Sequence, residues 1–570
     1  MNLPSPQALG EQHKNRGNDF LRQGRLADAA REYLRALECH PNHCAALSNL
    51  GIVLQAQGKL EEAADRFHQA LAIDPNFTAA LSNLSAVLHR LGRLPEAEFQ
   101  VKKALALEPD FPDARSNLGN VYLARGRWAA AVEQYQYALR HKPDFPDALA
   151  NLGVALQLQG KLTEAAACLE HALRLEPDSH EFWTNLGVVR HRQGNLEVAL
   201  ACLNHALQLK PNDPEALANH GCLLLELGQI PEAMARFDTA LRIAPDLAEA
   251  HFAQSLALLL TGDFEAGWRK HEWRWRRSGF PGHGRPEPLW DGQPLDGRSI
   301  LLHCEQGVGD SIQFIRFARE VKARGGYVVL KCPRALSRLF ATVAGIDQSV
   351  IDEDPLPECA CQAPLMSLPW LLGATHDTLS ATIPYLTAPV PSPLPRSWIR
   401  AADNLRVGLV WRGNATFKED FKRSMDPSFL APLLELPGIT FINLQVAPRP
   451  GDREFLARYP NMLHAEGLLT DFADTAAVLM DLDLVISVDT STLHLAGALG
   501  RPVWALLPFA PDWRWMLERN DSPWYPTMTL FRQRQRGDWQ EVITRVKKQI
   551  EAMQTHRVQG CSIHHMATRS

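Results

Sequence analysis

The stretch Asp483-Leu-Val-Ile-Ser-Val-Asp489-Thr490-Ser491-Thr492-Leu-His494-Leu-Ala-Gly497-Ala-Leu-Gly500-Arg-Pro502-Val-Trp-Ala-Leu-Leu507 decides how the C-terminal half of this chain folds. An apolar run ends in short polar residues, a helix-type segment follows, and Gly500 and Pro502 stop it before a second apolar run. The pattern reads as strand, turn, helix, strand. In an open α/β sheet, ligands bind beyond the carboxyl ends of strands. There a helix N-terminus offers unpaired N–H groups and a positive dipole end to an anion. Residues Asp489 to His494 are the expected anion-facing site.

Upstream of this stretch, the same alternation of short apolar runs and helices begins at Ser299. Ser299 to His303 predicts a strand, Gln306-Gly307-Val308-Gly309-Asp310 a tight turn, Ser311 to Ala323 a helix and Tyr327 to Leu330 the next strand. This βαβ start implies a parallel sheet. The turn lacks the third glycine of the dinucleotide fingerprint, so the pattern gives little support to a nicotinamide or flavin oxidoreductase. Proline-rich residues Pro389 to Pro395 interrupt the series, and a second series opens at Leu405-Arg-Val-Gly-Leu-Val-Trp411. Two Rossmann-like halves place a site in the cleft between them.

The first half of the chain is a repeat. Pro41, Pro75, Pro109, Pro143, Pro177, Pro211 and Pro245 are spaced by 34 residues, and the glycines from Gly24 to Gly262 keep the same period. That period predicts a helix-turn-helix solenoid. Small residues recur in register (Ala29, Ala63, Ala97 and onward; Ala36, Ala70, Ala104 and onward), allowing neighbouring helices to approach closely. The sequence resembles the tetratricopeptide repeat over residues 10–281 in about eight units. The eighth departs from the pattern, with Gly267 in the alanine place and Gly279 in the proline place. Asn15, Asn49, Asn83, Asn117, Asn151, Asn185 and Asn219 also recur every 34 residues. An amide both donates and accepts, so a ladder of amides suits the backbone of an extended peptide; the alternative is that each Asn braces a neighbouring helix.

Composition narrows the function classes. At 570 residues the chain needs two or three domains. A charged fraction of 22% and a net charge of −5 argue against a nucleic-acid binder with a basic surface. No apolar run is long enough to span a membrane and the start lacks a secretory pattern, so the expectation is a soluble, cytoplasmic protein. The ten cysteines are scattered, several at apolar helical positions such as Cys168, Cys202 and Cys222, and read as reduced core residues. Neither Cys359-Ala-Cys361 nor the tail Cys561-Ser-Ile-His564-His565 makes a four-ligand set, so no metal is expected. Between Phe264 and Arg298, four tryptophans lie among arginines. They read as an aromatic joint onto the next domain, with single-stranded nucleic-acid stacking as the alternative.

The two halves, with Gly307-Val-Gly309-Asp310 in one and Asp489-Thr490-(x)3-His494-Leu-Ala-(x)2-Leu-Gly-(x)-Pro502 in the other, resemble the ADP-heptose:lipopolysaccharide heptosyltransferases and their GT-B relatives. With Gly262-Asp-Phe-Glu-Ala-Gly267-Trp268, Glu305-Gln306-Gly307 and Pro511-Asp512-Trp513-Arg514-Trp515, the whole chain resembles bacterial repeat proteins with a glycosyltransferase-like C-terminal region. The asparagine ladder resembles the one that protein O-linked N-acetylglucosamine transferases use to hold polypeptides. The resemblance implies Asp310 as the base near the acceptor; the alternative is that Asp310 only caps its helix. For the departing diphosphate, the candidates are backbone N–H groups around Thr490, Ser491 and Thr492, with His494 as a donor and a cation from Lys418, Lys422 or Arg423; the alternatives are a packed histidine and a solvated basic loop. Gly309 belongs to the same donor-binding set. Asp489 would repel phosphate, so it is expected to cap or hold N–H groups. Ser491 replaces the glycine usual in those enzymes. Glu305, Gln306, Trp411, Arg412, Gly413, Asn414, Gln445, Asp471, Asp474 and Thr475 rank lower.

The resulting expectation is an α solenoid followed by an α/β GT-B fold. Its boundaries are repeats over 10–281, a linker over 282–298, Rossmann-like halves over 299–395 and 396–555, and a tail over 556–570. The implied activity is metal-independent transfer of a sugar from a nucleotide-sugar substrate, without a cofactor, to a protein or glycan acceptor. Asn49, Asn83, Asn117, Asn151, Asn185 and Asn219 would hold a peptide or protein partner in the repeat groove. The alternative is a non-catalytic repeat scaffold with a degenerate nucleotide-sugar-binding domain.

Overall fold

The computed structural model describes residues 5–277, 285–379, 383–399, 404–414 and 420–558. Gly279, Lys418, Cys561, His564 and His565, all singled out above, lie outside them. The chain divides into two compact units, Met1–Leu223 and Leu224–Ser570.

The first unit consists of antiparallel helix pairs, from Pro6–Arg22 and Leu26–Cys39 up to Pro214–Glu226, which crosses the division. The recurrent alanines serve the expected purpose: Ala29, Ala63, Ala97, Ala131, Ala165 and Ala199 are all completely buried. A second fit is between a small residue on the first helix of each pair and a large one sixteen positions on. A β-carbon on Gly51 would lie 2.8 Å from the Phe67 ring, one on Gly119 2.5 Å from Tyr135, and one on Gly153 2.8 Å from Leu169. In the third repeat the small residue is Ser85, its Oγ donating to Ala97 O at 2.9 Å, and the partner shrinks to Val101. The volume of the pair stays nearly constant, as close packing requires.

The second unit begins with the helices Ile230–Ile243, Ala248–Leu260 and Phe264–His271 and the short turn Glu272–Arg276. Two parallel sheets follow. Strands β1 (Ser299–His303), β2 (Tyr327–Cys332), β3 (Gln348–Ile351) and β4 (Cys361–Pro364) form a sheet of order β3-β2-β1-β4. Strands β5 (Leu405–Val410), β6 (Ile439–Asn443), β7 (Met462–His464), β8 (Leu484–Val488), β9 (Val503–Leu507) and β10 (Met528–Arg532) form a second, ordered β10-β9-β8-β5-β6-β7. In each sheet the chain reverses its direction of growth once, between β1 and β4 and between β5 and β8. These are two Rossmann-type halves, each with a topological switch point. β8 and β9 are buried at every residue, so they read as unbroken apolar runs. The closing helix, Trp539–Val558, puts Val542, Ile543, Val546 and Ile550 into the core of the second sheet.

The helix expected over Ser311 to Ala323 is in three pieces. Val308–Phe314 is capped at Gly307, a 3-10 turn spans Ile315–Phe317, and Ala318–Ala323 follows. Within that turn Arg316 is buried, and its guanidinium donates to Leu379 O at 2.6 Å and to Trp524 O at 3.2 Å. The Trp/Arg segment forms the aromatic joint. Trp268 is buried, with its ring edge-on to Trp513 at 5.2 Å and to Phe314 at 6.1 Å. Arg274 and Arg276 lie over Trp275 and Trp273 at 4.6 and 4.5 Å. One apolar core runs from Leu259 and Trp268 through Ile300 and Leu302 to Leu495 and Leu507.

The small-to-large fit of the repeats predicts that Gly119→Ser, which crowds Tyr135, destabilises the chain by roughly 1–3 kcal/mol. Combined with Tyr135→Val, which recreates the Ser85 and Val101 pair, the loss should be less than the sum of the two single changes, as read from thermal unfolding of the full chain. Additive losses would show that the two positions do not pack against each other.

Candidate active site

The carboxyl ends of the central strands open into a single cavity of about 1070 Å³. β1 leads to Gln306–Asp310 and β4 to Met366. β5 leads to Arg412–Asn414, β6 to Leu444–Arg449 and β8 to Asp489–Thr492. Both switch points therefore face the same space, where open α/β sheets bind their ligands.

Two helix N-termini meet across it. Helix Val308–Phe314 follows β1 and helix Ser491–Ala498 follows β8. They approach so closely that a β-carbon on Gly309 would lie 3.1 Å from His494 Cδ2 and 3.5 Å from Ser491 Cα. Among the described residues no side chain caps helix Ser491–Ala498; Thr490 is its N-cap residue, and the Thr490 hydroxyl instead shares a 2.9 Å hydrogen bond with Ser487. Its first N–H groups and its dipole are left directed at the cavity, which Thr490, Ser491 and Thr492 line.

Asp310 does two things. Its Oδ2 accepts from Gly307 N at 2.9 Å, which caps the helix, and its Oδ1 accepts from the Arg514 guanidinium. Arg514 also donates to Asp512 Oδ1 at 2.8 Å and to Gln313 Oε1 at 2.5 Å. Burial works against its charge, but Asp512, Asp310 and Asp489 outweigh that, so the guanidinium stays firmly protonated. Asp489 does not cap the helix: its Oδ2 accepts from the Trp515 indole N–H at 3.0 Å, and its Oδ1 lies 3.7 Å from His494 Nε2. Burial would raise this carboxyl; His494, the indole N–H and Arg423 together hold it well below its ordinary value, at about 2. His494 lines the cavity but is only 5% exposed, with Nδ1 hydrogen-bonded to the Tyr525 hydroxyl at 3.0 Å and its ring stacked on Trp515. It is both packed and presented, because its Cδ2 edge faces Gly309.

Of the expected cations, Arg423 lines the cavity and donates to Asp420 Oδ1 at 3.2 Å. Lys422 is not among the lining residues; its ammonium is taken by the Glu226 carboxylate at 2.9 Å. Arg412 lines the cavity, held by Asp452 at 3.2 Å, and Arg449 stands exposed at its rim. Of the lower-ranked residues, Gln306, Gly413, Asn414, Gln445, Asp471 and Thr475 reach the cavity, whereas Glu305 sits behind it and binds Arg274 at 2.8 Å. Arg514 and Tyr525 were not among the expected site residues. Arg514 lies in the quoted Pro511-Asp-Trp-Arg-Trp515 motif, and its isolated cation beside aromatics was the available signal. Phe252, Leu256 and His271, from the last helix pair, also line the cavity and carry no sequence mark apart from the repeat.

In the first unit, Asn49, Asn83, Asn117, Asn151, Asn185 and Asn219 are all half-buried. Three of these amides donate to the preceding repeat: Asn49 to Asn18 at 2.8 Å, Asn117 to the Ser82 Oγ at 3.0 Å, and Asn151 to Asn120 at 3.1 Å. Asn18 and Asn120 also accept from Tyr33 and Tyr135, the two tyrosines at the large position of the repeat. The ladder therefore braces helices at these places and presents only part of each amide outward. Among the described residues no group of three or more His, Cys, Asp or Glu side chains is arranged to hold a metal ion, and no helix is long and apolar enough to cross a membrane.

Residues 454–542 match the family described as Glycosyltransferase family 9 (heptosyltransferase). Tetratricopeptide-repeat families match residues 11–76, 54–116, 119–160, 152–218 and 186–257. Protein FlbA of Caulobacter vibrioides is 28% identical over 323 residues, which are 52% of this chain and 54% of that protein. The chain thus spans about half the length of the curated relative it matches. Among solved structures, the APC/C hetero-tetramer Cut9-Hcn1 aligns at 22% identity, with 45% of this chain, 49% of that chain and a TM-score of 0.38. A tetratricopeptide repeat protein from Parabacteroides merdae aligns at 18% identity, with 44% of this chain, 98% of that chain and a TM-score of 0.36. At these scores the likenesses add nothing to the fold assignment made above.

Two changes test the electrostatics of the site. Arg514→Ala strands Asp310 and Asp512 beside a buried gap and should cost about 3–5 kcal/mol in unfolding experiments. The Asp489 carboxyl is depressed in the folded state, so its stabilisation is complete above the ordinary value of 3.8 and is lost as pH falls through about 2. Asp489→Asn should melt below wild type at neutral pH, with the gap closing as the solution is acidified; a gap independent of pH would mean the charge is not what matters. By its sequence and its elements, the chain is a tetratricopeptide-repeat protein with a C-terminal glycosyltransferase family 9 (heptosyltransferase) domain.

Proposed function

We propose that the protein moves a sugar from a nucleotide-sugar donor to a hydroxyl of an acceptor engaged by its repeats. The observation that carries this reading is the meeting of two Rossmann-type switch points in one cavity, with an uncapped helix N-terminus beside His494 and Arg423. The family match over residues 454–542 supports it. In this reading the N–H groups at Ser491 and Thr492, with Arg423, take the diphosphate as negative charge develops on departure. Gly309 keeps the two helix ends close enough for both to reach the reacting bond, and Asp489 holds Trp515 and His494 in place. His494 donates toward the departing oxygen through Nε2, which turns from its 3.7 Å approach to Asp489 while Nδ1 stays on Tyr525.

Asp310 receives the acceptor proton. The Asp310 carboxyl is oriented by a guanidinium and a backbone N–H, and both its oxygens are engaged. The incoming diphosphate supplies a competing anion for Arg514, which frees Oδ1 at the moment the donor is seated. In this reading the transfer is metal-independent, with the helix N–H groups and Arg423 in the place of a metal ion. The repeats hold a polypeptide through the outward part of the Asn49 to Asn219 amides, and the reaction is cytoplasmic.

A second reading, a scaffold with a degenerate donor site, is favoured by one observation. Six aspartates and four arginines line the cavity among the described residues, and Arg412, Arg423 and Arg514 are already paired with acids.

A thermal-shift screen against UDP-, GDP-, ADP- and TDP-sugars separates the two. A donor at about 100 times its dissociation constant adds roughly 2.7 kcal/mol to the folded state. The transferase reading expects one donor to shift wild type and Asp310→Asn, with the shift lost in His494→Ala. If no nucleotide sugar shifts any form while a peptide does, the scaffold reading holds.

A further inference from the structure

The cavity has two ends of opposite character. The second half contributes the arginines, five of the six lining aspartates and the helix Ser491–Ala498, whereas Asp310 comes from the first. The other end is built partly by the last helix pair of the repeats, Ala248–Leu260 and Phe264–His271, which lie in the same compact unit as both sheets. Phe252, Leu256, Val308 and Met366 give it an apolar wall, and its polar groups are His271 and Gln306. The position of this end is fixed by a chain of contacts. Phe252 lies 5.3 Å from the His271 ring, His271 Nδ1 lies 3.4 Å from the Arg274 guanidinium, Arg274 binds Glu305, and Met366 N donates to Glu305 at 3.2 Å. The wall thus stands beside the turn that carries Asp310.

The wall holds little net charge to offer an anion. Arg274 is fully buried and bound to both Glu305 and Glu272, at 2.8 and 2.5 Å. His271 is buried, and burial together with Arg274, Arg514 and Arg277 keeps its ring neutral. A phosphorylated or acidic sugar placed here would lose its hydration while the nearby Arg514 guanidinium is already met by Asp310 and Asp512. A neutral glycan would need a polar partner for each hydroxyl, and two polar side chains do not provide them. A peptide also carries an N–H and a C=O at every residue, but it can leave these on water and Gln306 while one apolar side chain fills the wall and its neighbour's hydroxyl points at Asp310.

We propose that Phe252, Leu256 and His271 of the last repeat, with Val308 and Met366, form the acceptor subsite, and that it takes a hydroxyl-bearing polypeptide segment with an apolar residue beside the hydroxyl. The subsite rests on the glycosyltransferase reading for its role as an acceptor site. It makes the last repeat part of the reaction centre and gives the domain a selectivity for uncharged sequence around the modified residue. Gln306, exposed and with a positive φ of 57° at the mouth of the turn, offers the peptide backbone a donor and an acceptor.

The test measures binding of short synthetic peptides to the full chain by fluorescence anisotropy, with UDP, ADP, GDP and TDP titrated separately. One peptide has serine flanked by leucines and a second has serine flanked by aspartates; glucose 6-phosphate serves as competitor. The expected result is binding of the leucine peptide only, no competition by glucose 6-phosphate, and a loss of about tenfold or more in Phe252→Asp with nucleoside diphosphate affinity unchanged. Leu256→Lys should lose the leucine peptide and gain one with glutamate in the leucine place, a switch that a misfolded variant does not show. Equal binding of the aspartate peptide, effective competition by glucose 6-phosphate, or indifference to both substitutions overturns the subsite. If no nucleoside diphosphate binds while the peptide results hold, the donor reading fails and the site remains a peptide site.

Discussion

Arg514 is the interaction on which the C-terminal region turns. It leaves a loop of the second Rossmann-type half and reaches Asp310 and Gln313 of the first, with Asp512 of its own loop as a third partner. Taking a guanidinium out of water costs several kcal/mol, and that cost is recovered only if its charge and its donors are met in good geometry. Here two carboxylates and an amide oxygen meet them. The two halves are thereby fixed at the place where their switch points face each other, and the opening of the cavity is set by one buried ion cluster.

The backbone around Arg514 is shaped to serve it. Met516, two residues on, has φ 53° and ψ −163°, a region that side chains other than glycine avoid at a cost of order 1–3 kcal/mol. The Arg532 guanidinium donates to Met516 O at 2.9 Å and to Trp515 O, and so holds the turn in this form. The result aims three consecutive side chains to different ends: Trp513 into the aromatic joint with Trp268, Arg514 toward Asp310, and Trp515 onto Asp489 and His494. Packing of the last repeat, position of the base candidate and orientation of the histidine therefore share one short loop. Helix Ala248–Leu260 touches that loop, which is why repeat residues reach the cavity at all.

Much of the fold was legible because its signals are periodic. A 34-residue repeat and alternating apolar runs each state a local geometry that tertiary packing only confirms, as the fully buried alanines and strands β8 and β9 show. The site was legible as a set of turns, since Gly309, Asp310 and Asp489 to His494 follow strand ends. The direction of each side chain was not. Lys422 and Arg423 are adjacent in sequence, yet one pairs with Glu226 and the other lines the cavity. Asp489 was expected near N–H groups and found an indole N–H contributed from 26 residues away in the chain.

The sequence by itself determined the classes of the two regions, the turns that carry the candidate chemistry and the amide ladder, because these follow from local spacing and backbone preference. Only the tertiary structure decided that Asp310 is held by Arg514, that three ladder amides brace the preceding repeat, and that Phe252, Leu256 and His271 wall the cavity. Each of these joins groups distant in sequence. Their meeting depends on how buried charges and aromatic rings are satisfied together, a condition that no single stretch of chain encodes.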